Sequence, residues 1–248
     1  LTKFMTLKVE HVTGGYGAIP VLKDTTFAVQ AGEIVGLIGL NGAGKSTTIK
    51  HIMGLLQPQT GKITVNGLTL AQDLTAYRQQ IAYVPELPVL YPELSLKEHL
   101  TLTMLAYDLD PQTTWPKAQE LLELFRLDKK LDWFPINFSK GMKQKVMIVC
   151  AFMTSAKLYI IDEPFTGLDP LAVHDLLAIV QAKKKAGAAI LMSTHILANA
   201  EQSADRFVLL NHGRVRAQGT LEQLKAEFNL EATSLEDLYV QMSEEAPR

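Results

Sequence analysis

Apolar positions along the chain switch from two-residue alternation to helical spacing and back, and the switches predict its elements. Residues Lys8 to Gln30 read as short β segments joined by a Gly14-Gly15-Tyr16-Gly17 turn, and Glu33 to Ile38 as a buried strand running straight into a Gly-rich loop. A helix is predicted from about Lys45. Lys62 to Val65 and Leu68 to Leu70 flank an Asn66-Gly67 hairpin signal, and Ile81 to Val84 is another short strand. From about Ser95 the pattern turns helical: Ser95 and Glu98 form a capping box, and apolar residues recur at Leu100, Leu102 and Leu105, then at Leu121, Leu122 and Leu124. Alternation of strand and helix resumes with Leu158 to Asp162, a helix capped by Asp169 with Pro170 as its first residue, and the strand Ala189 to Ser193.

This is the grammar of parallel strands with intervening helices, an α/β arrangement in which ligands bind beyond the carboxyl ends of the strands. At 248 residues one compact unit with subdomains is expected, and no internal repeat or low-complexity tract suggests otherwise. The longest apolar runs, such as Val146 to Met153, fall far short of the roughly 20 residues that cross a bilayer. Leu1 to Lys8 lacks the apolar core of a secretory signal, and the lone Cys150 has no internal disulfide partner, so a cytoplasmic setting is expected. Met5 reads as the natural start, with Leu1 to Phe4 a remnant ahead of it. The formal net charge of -2 gives no general pull toward nucleic acid or anionic lipid. Lys183, Lys184 and Lys185 read as the basic end of a helix before Gly187. In the tail, Leu224, Phe228, Leu235, Leu238 and Val240 are expected to pack on the core.

Gly39-Leu40-Asn41-Gly42-Ala43-Gly44-Lys45-Ser46 matches G-x-x-x-x-G-K-[ST] and sits between predicted strand and predicted helix, as that motif requires. Small residues let backbone N–H groups of Gly39, Asn41, Gly42, Ala43 and Gly44 converge on phosphate oxygens, with the partial positive charge of the following helix behind them. Lys45 is expected to reach the β and γ phosphates, Thr47 to assist, and Ser46 to offer its hydroxyl to Mg²⁺. The fold class that follows is a P-loop NTPase core with a mainly parallel sheet flanked by helices, an N-terminal antiparallel β subdomain and an α-helical insert. The core is expected at about residues 1–94 and 155–220, the insert at about 95–154 and a helical tail at about 221–248.

The apolar strand Leu158-Tyr159-Ile160-Ile161 ends in Asp162 and Glu163, which places both carboxylates at the sheet edge shared with the phosphate loop. Asp162 suits the metal side, and Glu163 can orient or polarise the attacking water; two acids after a strand can also simply cap the next turn. His195 follows the strand ending at Ser193, where an imidazole can hydrogen-bond a γ-phosphate or serve a structural role.

In this order the motifs resemble the nucleotide-binding subunit of an ABC transporter, over nearly the whole chain. The resemblance implies that Tyr16 stacks on adenine, that Gly167-Leu168-Asp169 is the D-loop and that His195, in Ser193-Thr194-His195, is the switch histidine. The family's Leu-Ser-Gly-Gly-Gln signature is matched by Phe138-Ser139-Lys140-Gly141-Met142, in which only the serine and second glycine agree. Ser139 and Gly141 are the two that can offer a hydroxyl and a close backbone approach to a phosphate at a helix start. The family's Mg²⁺-touching glutamine corresponds to Glu86 in Tyr83-Val84-Pro85-Glu86, where an acid replaces the amide. Val84-Pro85-Glu86-Leu87-Pro88, the signature variant and the short helical tail are most similar to bacterial Ecs-type exporter ATPases.

The resemblance further implies ATP and Mg²⁺ as cofactors and a head-to-tail dimer with a second nucleotide-binding subunit, identical or not. It implies a separate transmembrane subunit docked near Glu86 to Ser95, which holds the chain at the inner face of the cell membrane. Glu163, His195 and Lys45 are then the catalytic residues. Rival readings are a soluble ABC ATPase acting on ribosomes or DNA, and a weakly hydrolysing regulatory module.

Overall fold

A computed structural model of the chain describes residues 5–228 and 234–244. The expectation for Leu1 to Phe4 lies outside these residues, as does the side chain of Val240. Two long antiparallel strands, β1 (Met5–Tyr16) and β2 (Ile19–Gln30), open the fold, followed by β3 (Ile34–Ile38), α1 (Lys45–Ile52), β4 (Thr60–Val65), α2 (Leu74–Gln79) and β5 (Ile81–Val84). Three helices come next, α3 (Leu96–Ala106), α4 (Pro111–Leu124) and α5 (Lys140–Phe152). The chain then returns through β6 (Leu158–Asp162), α6 (Pro170–Lys185), β7 (Ala189–Thr194), α7 (Leu197–Ser203), β8 (Arg206–Asn211) and β9 (Arg214–Gly219), and ends in α8 (Leu221–Phe228) and α9 (Leu235–Glu244).

The strands form two sheets. One is antiparallel, ordered β2-β1-β4; the other runs β5-β6-β7-β3-β8-β9 and is parallel except for β9. Every residue of β3, β6 and β7 is buried, as expected of parallel strands covered on both faces. Alternate residues of β3 serve different cores. Val35 and Leu37 face a cluster that joins Ile49 and Ile52 of α1 to Leu7, Val9 and Val29 of the antiparallel sheet. Ile34 joins the helices α3–α6 together with Tyr159, Ile161 and Met192, and Ile38 meets Leu224, Leu235 and Leu238 of the tail. α1 is thus wedged between the sheets. The registers Ile38↔Thr194 and Asp162↔Ser193 bring the carboxyl ends of β3, β6 and β7 level with one another.

The capping box of α3 and the Asp169 cap with Pro170 at the head of α6 form as their sequences predict. Three expectations do not. Gly14 and Gly15 lie inside β1 rather than in a turn, which falls at residues 17–18; a Cβ on Gly15 would stand 2.3 Å from the Ile19 carbonyl oxygen, so glycine is there to let irregularly registered strands close on each other. Leu68 to Leu70 forms no strand. Only the bridge Val65↔Leu68 survives, because the next amide, Thr69 N–H, turns away to Gln72 Oε1 (2.8 Å). Leu102 and Leu105 of α3 face outward, while Leu100 and Met104 enter the core. Lys183, Lys184 and Lys185 do form the basic last turn of α6; the Lys183 ammonium further donates to the Thr154 carbonyl (2.8 Å) beside the Tyr159 ring, and burial lowers its pKa to about 8.

Candidate functional site

The loop after β3 is built by positions that admit only glycine. A Cβ on Gly39 would sit 2.6 Å from Leu210 O and 2.7 Å from Ala43 Cβ, and Gly42 and Gly44 adopt φ of 84° and 113°. The loop folds back on itself through Ala43 N–H to Leu40 O (3.0 Å) and is pinned to the β8–β9 turn by Gly213 N–H to Ala43 O (2.9 Å). No side chain caps the N-terminus of α1, and no acid lies in its first turn. Its leading N–H groups therefore remain for an anion in the cleft. Lys45 is nearly buried; its Nζ donates to Gly39 O (2.7 Å) and lies 3.9 Å from Glu163 Oε1.

Asp162 closes β6 as a buried carboxylate, and its Oδ1 accepts from the Ser193 hydroxyl on the neighbouring strand. Burial raises its pKa, the Ser193 bond opposes that, and the carboxylates of Glu163 and Glu86 push it further up. Glu163 takes a left-handed backbone (φ 47°), an uncommon state for a non-glycine residue, and its N–H is held by Ser193 O (3.0 Å). Its Oε2 accepts from the His195 ring at Nδ1 (2.8 Å) and from the His195 N–H (3.3 Å). Since a carboxylate only accepts, Nδ1 carries the proton and Nε2 is turned outward on a half-exposed ring.

Tyr16, at the end of β1, is 50% exposed. Its hydroxyl accepts from Lys50 Nζ (3.0 Å), a bond that lowers the phenol's pKa, and the same ammonium stands 5.2 Å from the ring centroid. A cleft of about 450 Å³ is lined by Tyr16, by Asn41, Gly42 and Gly44 to Thr47 of the loop and its helix, and by Glu86, Glu163 and His195, with Val21 and Leu40 added. Gly39, Ala43 and Asp162 stand behind this lining. Ser139 and Gly141 do not line it.

The sequence profile of the family described as ABC transporter matches residues 22–166. The chain is 55% identical over 239 residues to the ABC-type transporter ATP-binding protein EcsA of Bacillus subtilis (strain 168), covering 96% of this chain and 97% of that protein. The chain belongs to the ABC transporter ATP-binding family. It is thus an ABC ATPase, the ATP-binding subunit of a transporter. A solved structure described as the ATP-binding subunit of an ABC transporter, also 55% identical, superposes with a TM-score of 0.94 over 96% of this chain and 99% of that one. A more distant relative, Nod factor export ATP-binding protein I of Rhizobium meliloti (strain 1021), is 36% identical over 215 residues, which cover 87% of this chain and 64% of that protein.

In this ABC ATPase the signature variant forms a second surface. Ser139 caps α5, its hydroxyl accepting from Met142 N–H (3.2 Å). Gly141 packs so tightly on the D-loop that a Cβ would stand 2.6 Å from Gly167 O, and the stem of Lys140 lies along Gly167. Lys145 pairs with Asp169 at 2.7 Å. The Phe138–Met142 segment and the Gly167-Leu168-Asp169 loop are therefore packed directly on each other.

Among the described residues no three His, Cys, Asp or Glu groups converge on a protein-only metal cage. The donors at hand nevertheless suit Mg²⁺: they are hard oxygens, and the Asp162 carboxyl, held above its ordinary range first by burial and then by the neighbouring Glu163 and Glu86 carboxylates, lies where a cation with phosphate ligands would offset the gathered negative charge. The sequence pattern does not single out Lys50, Ser193 or Gln144, whose contacts cross between elements. Gln144 of α5 is fully buried, donates through Nε2 to Pro85 O (3.0 Å) and so ties the signature helix to the Glu86 loop; its Oε1 finds no partner among the described residues. For Ser193 the available signal is its place two residues before His195, on the face of β7 that meets Asp162.

Proposed function

We propose that this ABC ATPase is the motor of an exporter, which closes head to tail on a second ATP-binding subunit around two ATP molecules and drives a separate transmembrane subunit. The division of the site carries this reading: Lys45, Glu163 and His195 share one cleft, whereas Ser139 and Gly141 stand outside it at the head of α5. A second subunit supplies the missing half to each.

In the closed pair, Tyr16 stacks on adenine, the loop amides and Lys45 take the β and γ phosphates, and Ser139 and Gly141 approach the γ-phosphate from across the interface. Ser46 and Asp162, with Glu86 beside them, are the residues that would hold Mg²⁺, whose charge offsets that developing on the phosphate oxygens. Glu163 orients the attacking water; His195 fixes its carboxylate through Nδ1 and leaves Nε2 for the γ-phosphate. Loss of that phosphate removes contacts to both subunits and opens the pair.

Docking on the membrane subunit through the stretch after Glu86 is supported by the exposure of Leu87 (62%), Val89 (75%) and Tyr91 (60%). No helix among the described residues is long and apolar enough to cross a membrane; in this reading it is the separate transmembrane subunit that holds the chain at the inner membrane face. Export, rather than uptake, is supported by the relative that serves Nod factor export. The test is Glu163→Gln: turnover falls about 10²- to 10⁴-fold while ATP binding persists and light scattering finds a stable ATP-bound dimer. Undiminished turnover removes Glu163 from the mechanism, and a monomer at saturating ATP removes the head-to-tail pair.

A further inference from the structure

The tail of the chain reaches the phosphate loop. α9 is anchored on the core by Leu235 and Leu238, both fully buried against the cluster around Ile38 and Phe207. One residue beyond Leu238, the Tyr239 hydroxyl accepts the backbone N–H of Leu40 at 2.8 Å, a contact across 199 positions of sequence. Leu40 N–H and Gly39 C=O are the two ends of a single planar peptide group. The far end of that group accepts Lys45 Nζ at 2.7 Å. Tyr239, the Gly39–Leu40 peptide and Lys45 therefore form one hydrogen-bonded chain, in which each bond polarises the next.

We propose that Tyr239 is a positioning residue for ATP binding: by holding the Gly39–Leu40 peptide plane, it aims the Lys45 ammonium at the phosphates. An ammonium has three donors; with one spent on Gly39 O, its direction is set and two remain for phosphate oxygens. The Tyr239 bond does not compete with nucleotide, because it takes the amide at the base of the loop rather than those that follow Gly42. Burial of the phenol raises its pKa, which keeps it a neutral hydroxyl. Nucleotide affinity thereby depends on a helix that lies beyond the residues matched by the family profile, 22–166.

This inference rests on the assignment of Lys45 to the phosphates, and the experiment separates the two. Binding of trinitrophenyl-ATP is titrated by fluorescence for the wild type, Tyr239→Phe, Lys45→Ala and the double variant, each with its thermal midpoint. Loss of one hydrogen bond from a preorganised loop predicts an affinity about 2- to 10-fold weaker for Tyr239→Phe alone, at an essentially unchanged midpoint, and no further loss when the same change is made on Lys45→Ala. Wild-type affinity in Tyr239→Phe, or an equal loss in both backgrounds, overturns the positioning role, the second outcome because it reports general loosening. Wild-type affinity in Lys45→Ala overturns the assignment of Lys45 itself.

Discussion

Ser193→Ala isolates one bond at the acidic edge of the site. Ser193 is fully buried, and its hydroxyl donates to Asp162 Oδ1 while accepting weakly from Glu163 N–H at 3.3 Å. The Glu163 amide keeps its shorter bond to Ser193 O in the variant, so Asp162 bears the loss. A hydrogen bond to a charged group contributes about 1.5–3 kcal/mol, which for a chain of this size is about 3–12 °C in thermal midpoint. The pH dependence follows from Asp162, whose folded pKa is raised, first by burial, above its unfolded value. A raised carboxyl contributes stability that is fully present below the unfolded pKa and is lost as pH rises through the folded one. Removing the Ser193 bond raises the folded pKa further, so the deficit of the variant is largest where Asp162 is ionised and shrinks to the worth of a neutral bond, about 1 kcal/mol, once it is protonated. Thermal and urea unfolding in EDTA, at about pH 8 and about pH 4, measure the difference without metal competition. A deficit below about 0.5 kcal/mol, or one of equal size at both pH values, refutes the reasoning.

Gly39→Ala forces a methyl group against Leu210 O and Ala43 Cβ, an overpacking expected to cost about 1–3 kcal/mol and to weaken ATP binding at least ~10-fold by calorimetry. Gly42→Ala, with open space around its Cβ, meets only the backbone penalty of φ 84°, about 1–2 kcal/mol; wild-type stability and ATP affinity in Gly39→Ala contradict the packing explanation. Lys50→Met removes the bond that lowers the Tyr16 phenol, so ultraviolet titration finds that phenol ionising at higher pH and ATP affinity drops about 2- to 5-fold. A phenol that titrates as in the wild type shows that Lys50 does not hold Tyr16.

The phosphate loop and the two acids were legible because their determinants are local: a fully buried strand, a run of small residues, and a lysine at a helix start within eight positions. The fold class followed from the same short-range periods. What stayed hidden depends on pairing across the chain. Gly14 and Gly15 carry the signature of a turn, yet they lie within β1 and serve close approach, Gly15 to Ile19 and Val21 on the partner strand and Gly14 to His51 of α1 and to Pro58. Lys183 sits in a run of three lysines in sequence and against the Tyr159 ring in space, because α6 turns that one side toward the start of β6. Leu102 and Leu105 match the helical period as well as Leu100 does, but only the three-helix packing decides which stripe is inward. The split between cleft and signature surface is likewise a matter of tertiary placement: Ser139 lies 24 positions before Glu163 and yet lines a different face.

The apolar cluster of α3–α5 does not end at the insert; it runs without a break through Tyr159, Ile161 and Met192 of the central sheet. For protein engineers this sets where modules can be exchanged. A chimera that borrows α3–α5 from another transporter's ATPase, to retarget it to a new membrane partner, must recut the sheet residues that face them. Grafting at the chain junctions alone leaves mismatched volumes directly behind the acids of β6.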